Sequence, residues 1–251
     1  ERSSHAWSVG ARYQKRHLLA DGLSLNAQLS HTWDHSLTTD TAYRQYNWDG
    51  DYIYSARNEL TGRGRTMRHY RRPLTLIRAD LAYQLAEGHL LNLDYALNRT
   101  GNDRWDEVDK TFEASNDVLA KHILGLAYNQ TLLDGRLNNT FFLKDYVNHL
   151  NVEQTDIPSV TNSRDVMGSS TKNFVGYGVG LRFQMAEPFA VKASYEHSVR
   201  LPLARELLGN GTTIYANMAL RPENSNNVNL GVFGTLKNAD HTLSYEVNGF
   251  L

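Results

Sequence analysis

The chain of 251 residues carries 26 basic against 27 acidic residues and no cysteine. That balance gives no bulk electrostatic footing for nucleic acid, and the absent thiols exclude disulfide frameworks, thiolate metal sites and thiol catalysis. No run approaches the roughly 18–20 apolar residues of a membrane helix, but a strand in lipid needs only every second residue apolar, so low mean hydropathy leaves a β-barrel open.

In chain order the dominant pattern is alternation with a period of two. Trp7, Val9, Ala11 and Tyr13 face one way, with Ser8, Gly10, Arg12 and Gln14 opposite; after Asp21-Gly22 the apolar set is Leu23, Leu25, Ala27, Leu29 and Trp33. Ile77, Ala79, Leu81, Tyr83 and Leu85 lead into Glu87-Gly88, and Leu91, Leu93, Tyr95 and Leu97 return. Val118, Ala120, Leu124, Leu126 and Tyr128 precede Asp134-Gly135, with Leu137, Phe141 and Leu143 beyond it. Val175, Tyr177, Val179, Leu181 and Phe183 turn at Glu187-Pro188 into Phe189, Val191, Ala193 and Tyr195. Val228, Leu230 and Val232, then Leu243, Tyr245 and Val247 after Asn238-Ala239-Asp240, complete ten predicted strands in five hairpins.

The connections alternate. Five are tight turns with hairpin chemistry; four are long, over about 36–73, 99–116, 148–172 and 200–226. Short periplasmic turns and long extracellular loops are the habit of outer-membrane barrels. Charge separates this from a soluble sandwich with one wet face. A cation on the lipid face near the midplane costs roughly 2–4 kcal/mol. Arg12, Arg78, Asp80, Asp94, Lys121, Lys144, Arg182, Lys192 and Glu196 all take the polar parity; His31, His122 and Asn139 are the polar exceptions on the apolar one. Trp7, Trp33, Tyr83, Tyr95, Tyr128 and Tyr195 lie near strand ends, as interfacial girdles do. The fold class expected is all-β, an antiparallel transmembrane β-barrel, with 1–251 forming part of a larger barrel. Ten strands left open would present two unpaired edges to lipid, each orphaned backbone group costing several kcal/mol.

Residues 195–231 add a motif. A strand ends in Arg200-Leu201-Pro202, Glu206-Leu207 follows, and Asn217, Leu220, Pro222, Glu223 and Ser225 lead into the next strand. This resembles TonB-dependent outer-membrane receptors. The resemblance implies a barrel of about 22 strands, a plug domain outside this chain, and a bacterial outer-membrane location. It implies uptake of a scarce nutrient (metal chelate, vitamin or glycan) with energy from the TonB–ExbB–ExbD system acting through the plug. It also implies contact with lipopolysaccharide and lipid, and a surface lipoprotein is a further partner to be considered. Arg200, Pro202, Glu206, Asn217, Pro222 and Glu223 read as shaping the loop: the prolines end strands, and Arg200 and Glu223 would pair across its base. Leu203–Leu208 has room for one helical turn.

The richest candidate binding loop is Leu37–Pro73. Tyr43, Trp48, Tyr52 and Tyr54, with Arg63, Arg65, Arg68 and His69, offer aromatic faces and guanidinium forks for an anionic chelate, a sugar or a polyphenolic siderophore. The alternative is a solvated loop packing on itself. Asp49-Gly50-Asp51 and the acidic run Asp103–Asp109 offer oxygen ligands for Ca²⁺ without EF-hand spacing, so no cofactor is assigned. Gly176, Gly178 and Gly180 share the polar parity of one strand, leaving room for a plug or marking a bend. No nucleophile–base arrangement is visible, and a passive porin or adhesin-type barrel is the competing function.

Overall fold

The computed structural model describes residues 1–40, 45–53, 65–110, 112, 114–153, 168–208 and 217–251. The strands are β1 (Arg2–Arg16), β2 (Leu23–Asp40), β3 (Gln45–Tyr46), β4 (Tyr52–Ile53), β5 (Thr66–Arg71), β6 (Leu74–Ala86), β7 (His89–Asp106), β8 (Ser115–Leu132), β9 (Leu137–Val152), β10 (Gly168–Ala186), β11 (Phe189–Arg200), β12 (Glu223–Asn238) and β13 (His241–Phe250). A single turn of helix, α1 (Ala204–Leu208), separates β11 from β12. β3 and β4 form a small separate hairpin, and the other strands make one antiparallel sheet in chain order. β5 and β6 both lie between β2 and β7, so they are one wall strand interrupted at Arg72-Pro73. Proline has no N–H for the ladder. Across the gap Gly101 N–H donates to Pro73 O at 2.9 Å, and a Cβ on Gly101 would lie 2.8 Å from the proline ring. The ten expected wall strands are therefore present.

The loop boundaries differ from expectation. β7 runs to Asp106 and β8 starts at Ser115, where a loop is expected over 99–116; β9 and β10 likewise extend to Val152 and from Gly168. Apolar alternation stops where the apolar band stops, but the backbone ladder continues through pairs such as Asn102 with Asp117 and Asn151 with Val118. Strand pairing outlasts the signal that locates it.

The register aligns the apolar rows. Leu25, Leu81, Leu93, Leu126 and Leu143 are directly opposed across β2, β6, β7, β8 and β9. Leu93, Leu126 and Leu143 stay 41–50% exposed, and among the described residues no second sheet covers this face. That excludes the dry sandwich, whose inner rows are buried. The opposite face carries polar chains: Arg12 Nε donates to Asn26 Oδ1 (3.1 Å), Asn26 Nδ2 to Asp80 Oδ2 (2.9 Å), and Lys144 pairs with Glu196 (3.6 Å).

A ring of aromatics and histidines closes the apolar band toward the loops. Trp7 stacks on Trp33; His31, His122 and His197 each engage a neighbour through Nδ1: Thr75 Oγ1, Tyr95 OH and Asn226 Oδ1 at 2.8–2.9 Å. The apolar parity does admit charge near its loop end, at Arg99 and at Asp145, which lies between Leu124 and Val175, positions outside the short apolar runs legible in sequence. The expected room at the glycine stripe is largely taken. A Cβ on Gly178 would meet Phe142 Cζ at 2.5 Å and Tyr195 O at 2.6 Å, and one on Gly176 would meet Tyr146 at 3.2 Å; only Gly180 is open.

The register makes a direct prediction. Nitroxides at Leu81 and Leu93 are expected to collide with oxygen dissolved in lipid, and those at Asp80 and Asn92 with a polar relaxation agent. Reversed accessibilities would mean the strands are turned over.

Candidate functional site at the loop end of the sheet

Beyond the aromatic ring, β2, β5, β7 and β8 rise as a polar extension with different chemistry on its two faces. On the polar face lie buried ion pairs. Asp117, with no exposed surface, sits 3.8 Å from the Arg104 guanidinium, accepts from Asn102 Nδ2 (3.3 Å) and from Glu153 N–H (3.0 Å), while Arg104 Nε donates to Ser115 (3.1 Å). Burial pulls the Arg104 pKa down, and the neighbouring Asp117 carboxylate pulls it back up. Arg68 lies 3.5 Å from Asp106 and over the Phe112 ring at 4.1 Å.

Asp106 ties the turn that follows β7. Its Oδ1 accepts the N–H groups of Met67, Val108 and Asp109 at 2.9–3.0 Å. Burial by itself would raise this carboxyl, but the three N–H donors and Arg68 outweigh it and hold the pKa below the usual carboxylate range. A depressed folded-state pKa contributes stability above the unfolded value of about 3.9 and loses it as pH falls through the folded value. Asp106→Asn is therefore expected to loosen the 107–110 turn at pH 7 and to match the wild type once both are uncharged, well below pH 4. Amide shifts of Val108 and Asp109 followed by NMR against pH check this; equal shifts at pH 7 would contradict it.

On the other face, His35 Nε2 and His69 Nδ1 share a 2.9 Å hydrogen bond between rings coplanar within 6°. Trp105 stacks parallel to His69 at 4.7 Å, and Glu107 Oε1 lies 3.0 Å from His69 Nε2. Arg71 binds Asp103 at 2.6 Å and lies over Trp33 at 5.2 Å.

These placements divide the residues that the sequence groups together. Arg68 and His69 are adjacent in β5 and point to opposite faces, so they cannot share one ligand. Trp48 stands fully exposed at the tip of the β3–β4 hairpin, whose Asn47 and Asp51 bind each other, and Arg65 is exposed. Tyr52 pairs with Tyr46 through the backbone. Tyr43, Tyr54 and Arg63 lie outside the described residues. The acidic run is also divided, with Asp103 held by Arg71 on one face and Asp106 by Arg68 on the other; among the described residues no group of three or more His, Asp or Glu could hold a metal.

The described arms of the β11–β12 connection, 201–208 and 217–222, lie against the polar face. Arg200 binds Glu223 (2.9 Å) and Glu206 (3.3 Å), and Glu206 Oε2 accepts Leu203 N–H (2.7 Å), which starts α1 in the manner of a capping box. That N–H and the Arg200 guanidinium hold the Glu206 carboxyl below its usual range. Leu207 and Leu208, each 2% exposed, pack with Leu119, Leu150 and Val152 of β8 and β9, with Ala204, Met218 and Leu220 around them. Asn217 N–H donates to Leu207 O (2.9 Å), and Pro202 and Pro222 mark the loop's exit and entry. Lys121 Nζ reaches Pro202 O, and Lys172 Nζ reaches Met218 O at 3.2 Å. The sequence reading missed this seat. Its signal was present: Leu119, Leu150 and Val152 are apolar residues on the polar parity, near strand ends.

The family model described as TonB dependent receptor-like, beta-barrel, matches residues 2–250. No curated protein sequence matches the chain. Among solved structures, a copper transporter, OprC, superposes with a TM-score of 0.68 at 14% identity, over 98% of this chain and 38% of its own. The Serratia marcescens hemophore receptor HasR, solved with its hemophore HasA and heme, gives 0.61 at 15% identity over 99% and 39%. BauA, the ferric preacinetobactin receptor of Acinetobacter baumannii, gives 0.52 at 12% identity over 93% and 36%. The chain thus spans under two-fifths of these neighbours, and likeness at such identity establishes the fold.

Proposed function

Since this chain belongs to the TonB-dependent receptor β-barrel family, we propose that it forms wall and outer loops of a receptor that captures a scarce nutrient outside the bacterial outer membrane and passes it inward with TonB-derived energy. The family is one of transport receptors, not enzymes. The observation that carries the reading is the match over 2–250, which takes in every strand of the sheet. The solved neighbours are named for copper, for a hemophore with heme and for ferric preacinetobactin, which favours a metal or metal chelate as cargo over a vitamin or glycan.

In this reading the apolar face meets lipid and the polar face lines the lumen. The arms 201–208 and 217–222 are then lumen-side structural elements at the mouth, and Trp48, fully exposed on its hairpin, is an aromatic available to a ligand. A plug-borne contact with the TonB–ExbB–ExbD system, lipopolysaccharide at the aromatic ring and a surface lipoprotein are the partners that fit.

The deciding experiment is uptake of a panel of radiolabelled metal chelates by cells expressing the full-length receptor, with and without functional TonB. Uptake that disappears without TonB supports active transport; uptake indifferent to TonB would identify a passive channel. Deleting 41–64 is expected to weaken uptake while the barrel still assembles, and unchanged uptake would remove that loop from capture.

A further inference from the structure

We propose that Lys121, Asn148 and Lys172 form a latch that holds the two arms of the β11–β12 loop, and that a small polyanion bearing carboxylates or phosphates releases it by taking the latch's donors. The proposal rests on the receptor reading above and names the chemistry of its cargo.

The three residues occupy one row of the polar face: Lys121 on β8 is opposite Asn148 on β9, which is opposite Lys172 on β10. The two lysines fasten different arms of one loop. Lys121 donates to Pro202 O, just after β11, and Lys172 to Met218 O at 3.2 Å, on the arm returning to β12. Both acceptors are neutral carbonyls. Among the described residues neither ammonium forms an ion pair with a carboxylate, and Glu206, whose charge acts on Lys121, is occupied by Arg200 and by Leu203 N–H. An ammonium bonded to a carbonyl gains from exchanging it for an anionic oxygen, since charge-assisted bonds are roughly twice as strong.

Between the lysines, Asn148 is 7% exposed and, among the described residues, its Oδ1 has no hydrogen-bond partner. A buried orphan acceptor is a standing cost. A ligand hydroxyl would satisfy it, and a half-turn of the amide would instead present N–H to an anion. Three donors then converge across two strand spacings, about 10 Å, the span of a polycarboxylate or phosphate ester. The leucine seat lies beside the latch: Leu119 and Leu150 are the same-face neighbours of Lys121 and Asn148, and they hold Leu207 and Leu208. Loss of the latch therefore frees the returning arm around Met218 while α1 keeps its apolar contact.

The test uses the full-length receptor in lipid nanodiscs, with nitroxides at the exposed positions Ala219, on the returning arm, and Ser169, and pulsed electron resonance distances read against citrate. Citrate is expected to lengthen the distance in wild type, and maltose at the same concentration to leave it unchanged. Lys121→Met or Lys172→Met alone should partly lengthen the distance without citrate and bind citrate about tenfold more weakly, one charge-assisted contact being worth about that factor. The double variant should already show the longer distance and not respond further to citrate, and a double Lys→Arg variant, keeping both charges, should respond and serve as the assembly control. No citrate shift in wild type, or the same shift in the double Met variant, would overturn the latch. TonB-dependent uptake with an unresponsive loop would remove this proposal and leave the transport reading; a citrate-driven shift without TonB-dependent uptake would do the reverse.

Discussion

Asp117→Ala is expected to destabilise the loop-end extension by about 3–5 kcal/mol, the usual consequence of stranding the partner of a buried charge. Arg104 has a side chain only 7% exposed and takes its compensation from Asp117 at 3.8 Å. The same carboxylate receives Asn102 and Glu153 N–H, so its loss orphans groups on β7 and at the end of β9 together. Hydrogen exchange over 102–106 and 115–119 should accelerate by two orders of magnitude or more, about tenfold for each 1.4 kcal/mol. Exchange in the tight turn around Gly88, at the far end of the sheet, should not change. Wild-type protection in the variant would mean that Arg104 finds another partner.

Leu126→Arg should lower unfolding stability in lipid vesicles by about 2–4 kcal/mol, the cost of a cation on the lipid face near the midplane. Leu126 lies six residues from Leu132 at the tight-turn end of β8, near the middle of the roughly 9–11 residues a tilted strand needs to cross. Its neighbours in the row are Leu93 and Leu143. Ala127→Arg, one residue on and pointing to the polar face, should cost much less. Equilibrium guanidinium unfolding of both variants decides; equal costs would show that the two faces are not differently solvated.

Much of this fold is legible in the sequence because a lipid-facing sheet imposes a strict rule on every second residue. Rows such as Leu81 with Leu93 follow from period and turn chemistry alone, and Gly88 illustrates the turn: φ is +74°, and a Cβ there would sit 2.3 Å from Thr131 O. The pairing of Arg200 with Glu223 was legible too, from two prolines that fix the ends of one loop. The binding loop was less legible. Arg68 and His69 appear as one basic-aromatic patch in a linear reading, yet they are divided the moment β5 joins the ladder, since neighbours on a strand point apart.

The sequence by itself determined the number of wall strands, the identity of the two faces and the family, because each depends on local periodicity or on a short motif. Tertiary structure alone decided how far the strands rise past the apolar band, what fills the glycine stripe, and where α1 comes to rest. Those outcomes depend on contacts between residues far apart in the chain: Phe142 over Gly178, Leu207 and Leu208 on Leu119 and Leu150, Lys172 on Met218. No period encodes such meetings. They follow from which side chains the ladder brings to the same height on the same face.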